Sequence, residues 1–164
     1  MTIDELLVGC SKGLRSLTSE YAIKESGSTY IQPLDSSTHD VLRAPTSLPS
    51  LRALTGKTVS SIEILSPADA APTGCAVYTV SASATIFLDV KGRIDIDKEI
   101  TKAQDRLKKA NETVQKQRKI MDEDWTNQVS EVVKEQEREK LRAAQLDGSN
   151  WQKSLEQFER LKLE

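Results

Sequence analysis

The apolar positions Ile3, Leu7, Cys10, Leu14, Leu17 and Tyr21 recur at spacings of 4, 3, 4, 3 and 4, which is one stripe of an amphipathic helix. Thr2, with Glu5 three residues on, supplies both halves of a capping box at its start. "KESGSTY" ends the helix, and "TYIQPL" is short, β-prone and limited by Pro33, a pattern that predicts an edge strand. "SSTHDVLRA" restarts a helix, with Ser36 or Ser37 as cap, until Pro45 and Pro49. A short helical stretch over 48–54 then closes at Gly56. "TVSSIEIL" alternates apolar and polar residues in strand fashion. "GCAVYTV" and "ATIFLDV" are a further pair of such runs, joined by the small polar turn "SASA". Three or four strands with covering helices bury both the helix stripe and one sheet face in a small α+β layer whose core ends near Val90.

From residue 96 the period changes from two to three and a half. Ile96, Ile100, Ala103, Leu107, Ala110, Val114, Gln117 and Met121 follow at spacings of 4, 3, 4, 3, 4, 3 and 4, a strict heptad seam. A helix over 96–121 would be about 38 Å long at about 1.5 Å per residue. "DEDWTN" interrupts the period, and a second helix over 129–162 carries Glu137, Leu141, Ala144, Gly148, Trp151, Leu155, Phe158 and Lys162 on its stripe. Gly148, within "LDGSN", costs about 1 kcal/mol against Ala in a helix interior and predicts a break there. The expected fold class is α+β. A small mixed domain over 1–92, made of the N-terminal helix, three or four strands and short helices, precedes a long antiparallel coiled-coil hairpin over 93–164. A parallel dimeric coiled coil, with the loop as a stutter, is the alternative.

Composition agrees with an elongated molecule, since 37% of residues are apolar, 4% aromatic and 29% charged. A net charge of −2 gives no global pull toward polyanions, so segregation of charge decides. Between Lys98 and Lys119, the bases Lys98, Lys102, Arg106, Lys108, Lys109, Lys116, Arg118 and Lys119 face only three acids, Glu99, Asp105 and Glu112, a local net of +5. The segment from Asp122 to Glu164 holds eleven acids and seven bases, a local net of −4. With Ile100 at heptad position a, Lys98 and Lys119 fall at f, Lys102, Lys109 and Lys116 at c, and Lys108 at b, all pointing away from a partner helix. Arg106 and Arg118 alone lie beside the seam. Such a row can neutralise phosphates in a salt-dependent way, and it is also what the solvated face of any soluble coiled coil carries.

His39 is the only histidine, which removes His-pair zinc sites and disfavours a catalytic triad. "DEDW" lacks the spacing and central glycine of a calcium loop, and Gly9 and Gly13 follow no strand and make no phosphate cradle. Cys10 and Cys75 stand far apart in apolar surroundings, as reduced structural thiols do. No basic leader precedes an apolar core at the N-terminus, and no apolar run reaches the roughly 18 residues of a membrane span, so a soluble cytoplasmic protein is expected. The sequon at Asn111 falls inside a helical pattern. No residues are arranged for covalent or acid-base chemistry.

"GLRSLTSEYAIK", "GRIDIDKEITKAQDRLKK", "EVVKEQEREKL" and "SLEQFERLKL", taken in this order, together resemble the C-terminal region of class I valyl-tRNA synthetases of the eukaryotic cytosolic type. "GRIDIDKEITKAQDRLKK" is similar to the step from a small β-containing segment into that family's coiled-coil arm. "EVVKEQEREKL" resembles the start of the arm's returning helix, and "SLEQFERLKL" its close. Upstream, "GLRSLTSEYAIK" resembles the last helix of the anticodon-binding domain, and the strands follow in family order. The acidic "DEDWTN" departs from the basic or Pro-bearing link usual there, and "LDGSN" resembles an insertion. The family's "HIGH" and "KMSKS" nucleotide motifs do not occur in this chain. The resemblance thus implies a part that is non-catalytic alone. It binds no cofactor itself, ATP being used only in a catalytic domain absent from this chain. It also implies tRNA as partner, held at the outer corner of its L shape by the eight bases named above, with the full-length synthetase or its catalytic domain as a second partner. A monomer without membrane contact is expected. A coiled-coil scaffold for protein interactions is the alternative function.

Overall fold

In the computed structural model, residues 2–23, 27–56, 59–122 and 130–163 are described. The elements are α1 (Ile3–Glu20), β1 (Gly27–Pro33), α2 (Ser36–Arg43), α3 (Ser47–Thr55), β2 (Val59–Ile64), β3 (Cys75–Ser81), β4 (Ala84–Asp89), α4 (Ile96–Asp122) and α5 (Glu131–Leu163). The fold is α+β, with a four-stranded mixed sheet ordered β2-β1-β4-β3. The segment 123–129, where the link between the long helices was expected, lies outside the described residues.

The capping box forms as its spacing implies, with Thr2 N–H donating to Glu5 and Glu5 N–H donating to the Thr2 hydroxyl. Leu7, Cys10, Leu14, Leu17 and Tyr21 are buried, whereas Ile3 is 57% exposed and Leu6 takes its place inward. The stripe packs on Ile31, Ile86 and Leu88 of the sheet. Burial in this apolar layer pushes the Cys10 thiol up to about 12, so it stays protonated and inert.

The expectation of an edge strand at β1 is corrected. β1 lies inside the sheet, parallel to β2 and antiparallel to β4. Pro33 is tolerated because the β2 pairing ends at Ile31↔Ile64, so the absent N–H removes no ladder bond on that side. The cap of α2 is likewise Asp35 rather than a serine. Thr38 N–H donates to Asp35 Oδ1 at 2.7 Å, and this bond holds the carboxyl below its usual range. Pro49 sits in the first turn of α3, where a backbone N–H has no intrahelical partner to lose.

The two long helices pack against each other in opposite directions. Lys162 meets Asp97 at 2.7 Å, Gly148 lies against Ala110, and Gln117 Nε2 donates to the Glu137 carbonyl at 3.1 Å. Ala103, Ala110 and Gln117, one heptad apart, are the buried positions of α4, and the other seam residues are half-buried. The break expected at "LDGSN" does not occur, because α5 runs unbroken through it. Gly148 serves close approach instead: a Cβ there would meet the Ala110 Cβ at 3.5 Å, ordinary contact. Gly148→Ala is therefore expected to fit and to recover helix propensity. It should stabilise by about 0.5–1 kcal/mol and raise Tm by about 2–4 °C in a thermal melt.

The C-terminal half of α5 has a second face, turned to the outer edge of β3. Asn150 Oδ1 accepts from Thr79 N–H at 2.6 Å and Gln157 Oε1 from Cys75 N–H at 3.2 Å. Between them, Ser154 Oγ accepts from Val77 N–H at 3.1 Å and donates to its carbonyl at 3.3 Å. Gln157 Nε2 also donates to the Pro72 carbonyl at 3.0 Å. Beside this row Leu155 and Phe158 enter the same buried cluster as Leu14 and Ile86, with Phe158 edge-on to Tyr21 at 5.7 Å. Residues beyond 93 thus help build the core of the sheet layer.

Candidate nucleic-acid interface

α4 is rich in Lys, Gln, Ala, Arg and Leu, residues that lose little rotamer freedom in a helix. Its first turn is closed by Asp95, whose Oδ1 accepts from Lys98 N–H at 3.2 Å, and carries Asp97 and Glu99. Lys119 sits in the last turn, so the charge order suits the helix dipole. The outer surface consequently has two rows. Lys102, Lys109 and Lys116 stand one heptad apart, about 10.5 Å along the axis, and next to them run Lys98, Asp105, Glu112 and Lys119.

These bases divide by their surroundings. Lys98, Lys108, Lys116, Arg118 and Lys119 are exposed and make no ion pair among the described residues. Lys109 pairs with Asp105 at 3.0 Å, an exposed i,i+4 bridge that contributes only a few tenths of a kcal/mol and opens readily, as such surface pairs do, typically about 0.3–0.5 kcal/mol. Lys102 is held more firmly, at 2.6 Å from Glu99 and 3.3 Å from Glu20, with its ammonium 4.7 Å from the centre of the Tyr21 ring. Arg106 reaches the same Glu20 oxygen at 3.4 Å and lies 5.2 Å over the Trp151 ring. The structure therefore separates Lys102 and Arg106, turned toward α1 and a cleft bordered by Tyr78, Asn150 and Trp151, from the bases that face outward.

The charged run of α5 is neutralised within its own helix. Lys134 meets Glu131 at 3.3 Å, Lys140 meets Glu137 at 3.1 Å, and Arg142 bridges Glu135, at 2.7 Å, and Glu139. The hydrogen bond from Arg142, then that from Arg138, holds the Glu135 carboxyl below its usual range. Among the described residues no acid of α5 pairs with a base of α4, and the one ion pair between these helices, Lys162 with Asp97, has the opposite polarity. Among the described residues the exposed bases Lys98, Lys108, Lys116, Arg118 and Lys119 are therefore not offset by the acids of α5.

Among the described residues no three His, Cys, Asp or Glu side chains gather as a metal site, and no helix is long and apolar enough to cross a membrane. Sequence reasoning missed Glu20, the acid that collects two bases, and the row Asn150, Ser154 and Gln157. Spacings of four and three polar residues on an otherwise buried helix face were the available signal for the row.

Comparison with curated proteins adds a match along nearly the whole chain. The valine-tRNA ligase of Saccharomyces cerevisiae, named as mitochondrial, is 28% identical over 162 residues, covering 97% of this chain and 14% of that protein. The chain is similar to part of valine-tRNA ligase. A second such ligase, from Takifugu rubripes, is 29% identical over 159 residues, 96% of this chain and 13% of that protein. The chain thus spans about one-seventh of the length of these valine-tRNA ligases. No family model and no solved structure matches.

Proposed function

We propose that this chain is a non-catalytic, tRNA-holding portion of a valine-tRNA ligase, corresponding to the C-terminal region of the eukaryotic cytosolic type. In this reading α4 and α5 form a coiled-coil arm, and the outward bases of α4 contact tRNA phosphates during aminoacylation. The observation that carries it is the set of exposed bases on α4 that no acid of α5 pairs with among the described residues, on a chain that resembles the ligases over almost its entire length. Contacts of this kind recognise backbone and shape rather than base edges. ATP belongs to a catalytic domain outside this sequence, and that domain or the full-length synthetase is the protein partner. The seam of α4 is filled by the chain's own α5, which supports a monomer, and a cytoplasmic location belongs to the same reading.

Lys108→Glu combined with Lys109→Glu is expected to weaken binding of a valine tRNA transcript about tenfold or more, and to flatten its salt dependence. Helix content by circular dichroism should stay unchanged, since both side chains are exposed. Unaltered affinity in this variant would overturn the reading. The scaffold alternative draws on Ile120, Val132 and Val133, which are exposed near one end of the helix pair. Sedimentation of a dimer whose stability rises with salt would favour it.

A further inference from the structure

β3 ends the sheet, so its outward N–H and C=O groups at 75, 77 and 79 have no strand to pair with. α5 supplies side chains to them in register. Asn150, Ser154 and Gln157 answer Thr79, Val77 and Cys75, so the helix runs against the strand direction. The seven steps from residue 150 to 157 rise about 10.5 Å, and the four from 75 to 79 about 13 Å. The longest side chain, Gln157, stands at the end where the shortfall has to be spanned. Apolar packing of Leu155 and Phe158 would hold α5 to the layer but would tolerate sliding. A row of three directional bonds fixes its position along the strand, because a shift of one helical turn misplaces all three. α4 packs chiefly on α5, so the position of α5 also sets that of the lysine rows. The pairing of Glu20 with Lys102 and Arg106 ties α4 to α1 as a second point of attachment.

We propose that Asn150, Ser154 and Gln157 are positioning residues for tRNA binding: they lock α5 to the edge of β3, and thereby present the outward bases of α4 at one fixed angle to the sheet. The inference rests on the functional reading above. The lock acts by pre-organising the surface, without touching the ligand. Its loss therefore weakens binding without changing the number of phosphates neutralised.

The test is the triple variant Asn150→Ala, Ser154→Ala, Gln157→Ala in the whole chain, titrated with a valine tRNA transcript at a series of KCl concentrations. Affinity is expected to fall about fivefold at every salt concentration, within the usual range of couplings between distant sites, with the slope of log K against log salt unchanged. Lys108→Glu with Lys109→Glu should instead reduce that slope by about 1.4–1.8, the loss of two phosphate contacts. Hydrogen exchange at the Cys75, Val77 and Thr79 amides should accelerate in the triple variant while the helix signal persists. Asn150→Ala alone, at a half-exposed position, should show the same trend more weakly, and Asn150→Asp, which keeps the acceptor, should restore protection at Thr79. Wild-type affinity in the triple variant, or a flattened slope, overturns the positioning role alone. Absence of tRNA binding by the unmodified chain overturns the functional reading and this role with it.

Discussion

Replacing Phe158 with alanine is expected to lower the free energy of unfolding by about 3–5 kcal/mol and Tm by about 10 °C or more. The side chain is fully buried, makes an edge contact with Tyr21 and lies in the cluster formed by α1, the sheet and α4. Its removal strips apolar contacts and leaves a space that fixed backbone cannot fill, because the neighbouring α5 residues are bonded to β3. Denaturant titration gives the check, since the midpoint should fall with little change in slope. A loss of less than about 1 kcal/mol, well below the range for such truncations, would mean that the end of α5 does not close the core.

Gly13→Val is the second large effect, and it acts by crowding. A Cβ at Gly13 would lie 2.7 Å from Ile86 Cδ1 and 2.8 Å from Tyr78 Cδ1, and one at Gly9 would lie 2.8 Å from Val80 Cγ1. These glycines, which form no phosphate cradle, let α1 sit close on β3 and β4. Valine at position 13 adds two further methyl groups to the same space and should destabilise by about 1–3 kcal/mol. Gly13→Ala should cost less, because it adds one carbon rather than three against Ile86 and the Tyr78 ring and alanine recovers helix propensity. Chemical denaturation of the two variants should rank them in that order, and equal midpoints would show that the helix has room to lift.

What could be read from the sequence was local. The capping box at Thr2 and Glu5, the α1 stripe from Leu7 to Tyr21, the β3–β4 hairpin around "SASA" and the heptad seam of α4 are each set by short-range spacing, and each lies where that spacing puts it. Apart from the α2 cap, the misreadings concern long-range pairing. Pro33 suggested an edge, but the strand that would reveal β1 as interior begins at Val59, across two helices, and nothing local records that partnership. Gly148 suggested a break because its propensity was weighed alone, without the packing of α5 on α4 beside Ala110 that carries the helix through it. The charge rows of the candidate interface followed from heptad arithmetic. The capture of Lys102 and Arg106 by Glu20, some 80 residues upstream, did not, because opposite charges far apart in sequence carry no spacing rule.

The bonds from α5 to β3 join residues 71 to 82 positions apart. During synthesis on the ribosome, the first 90 residues would emerge with the outer strand still bare, and the missing piece would arrive only after residue 157 had cleared the exit tunnel. An unguarded strand of this kind recruits other chains, and contacts this distant in sequence form late. Translation speed and chaperone occupancy while residues 93–163 are made should therefore govern the yield of folded protein.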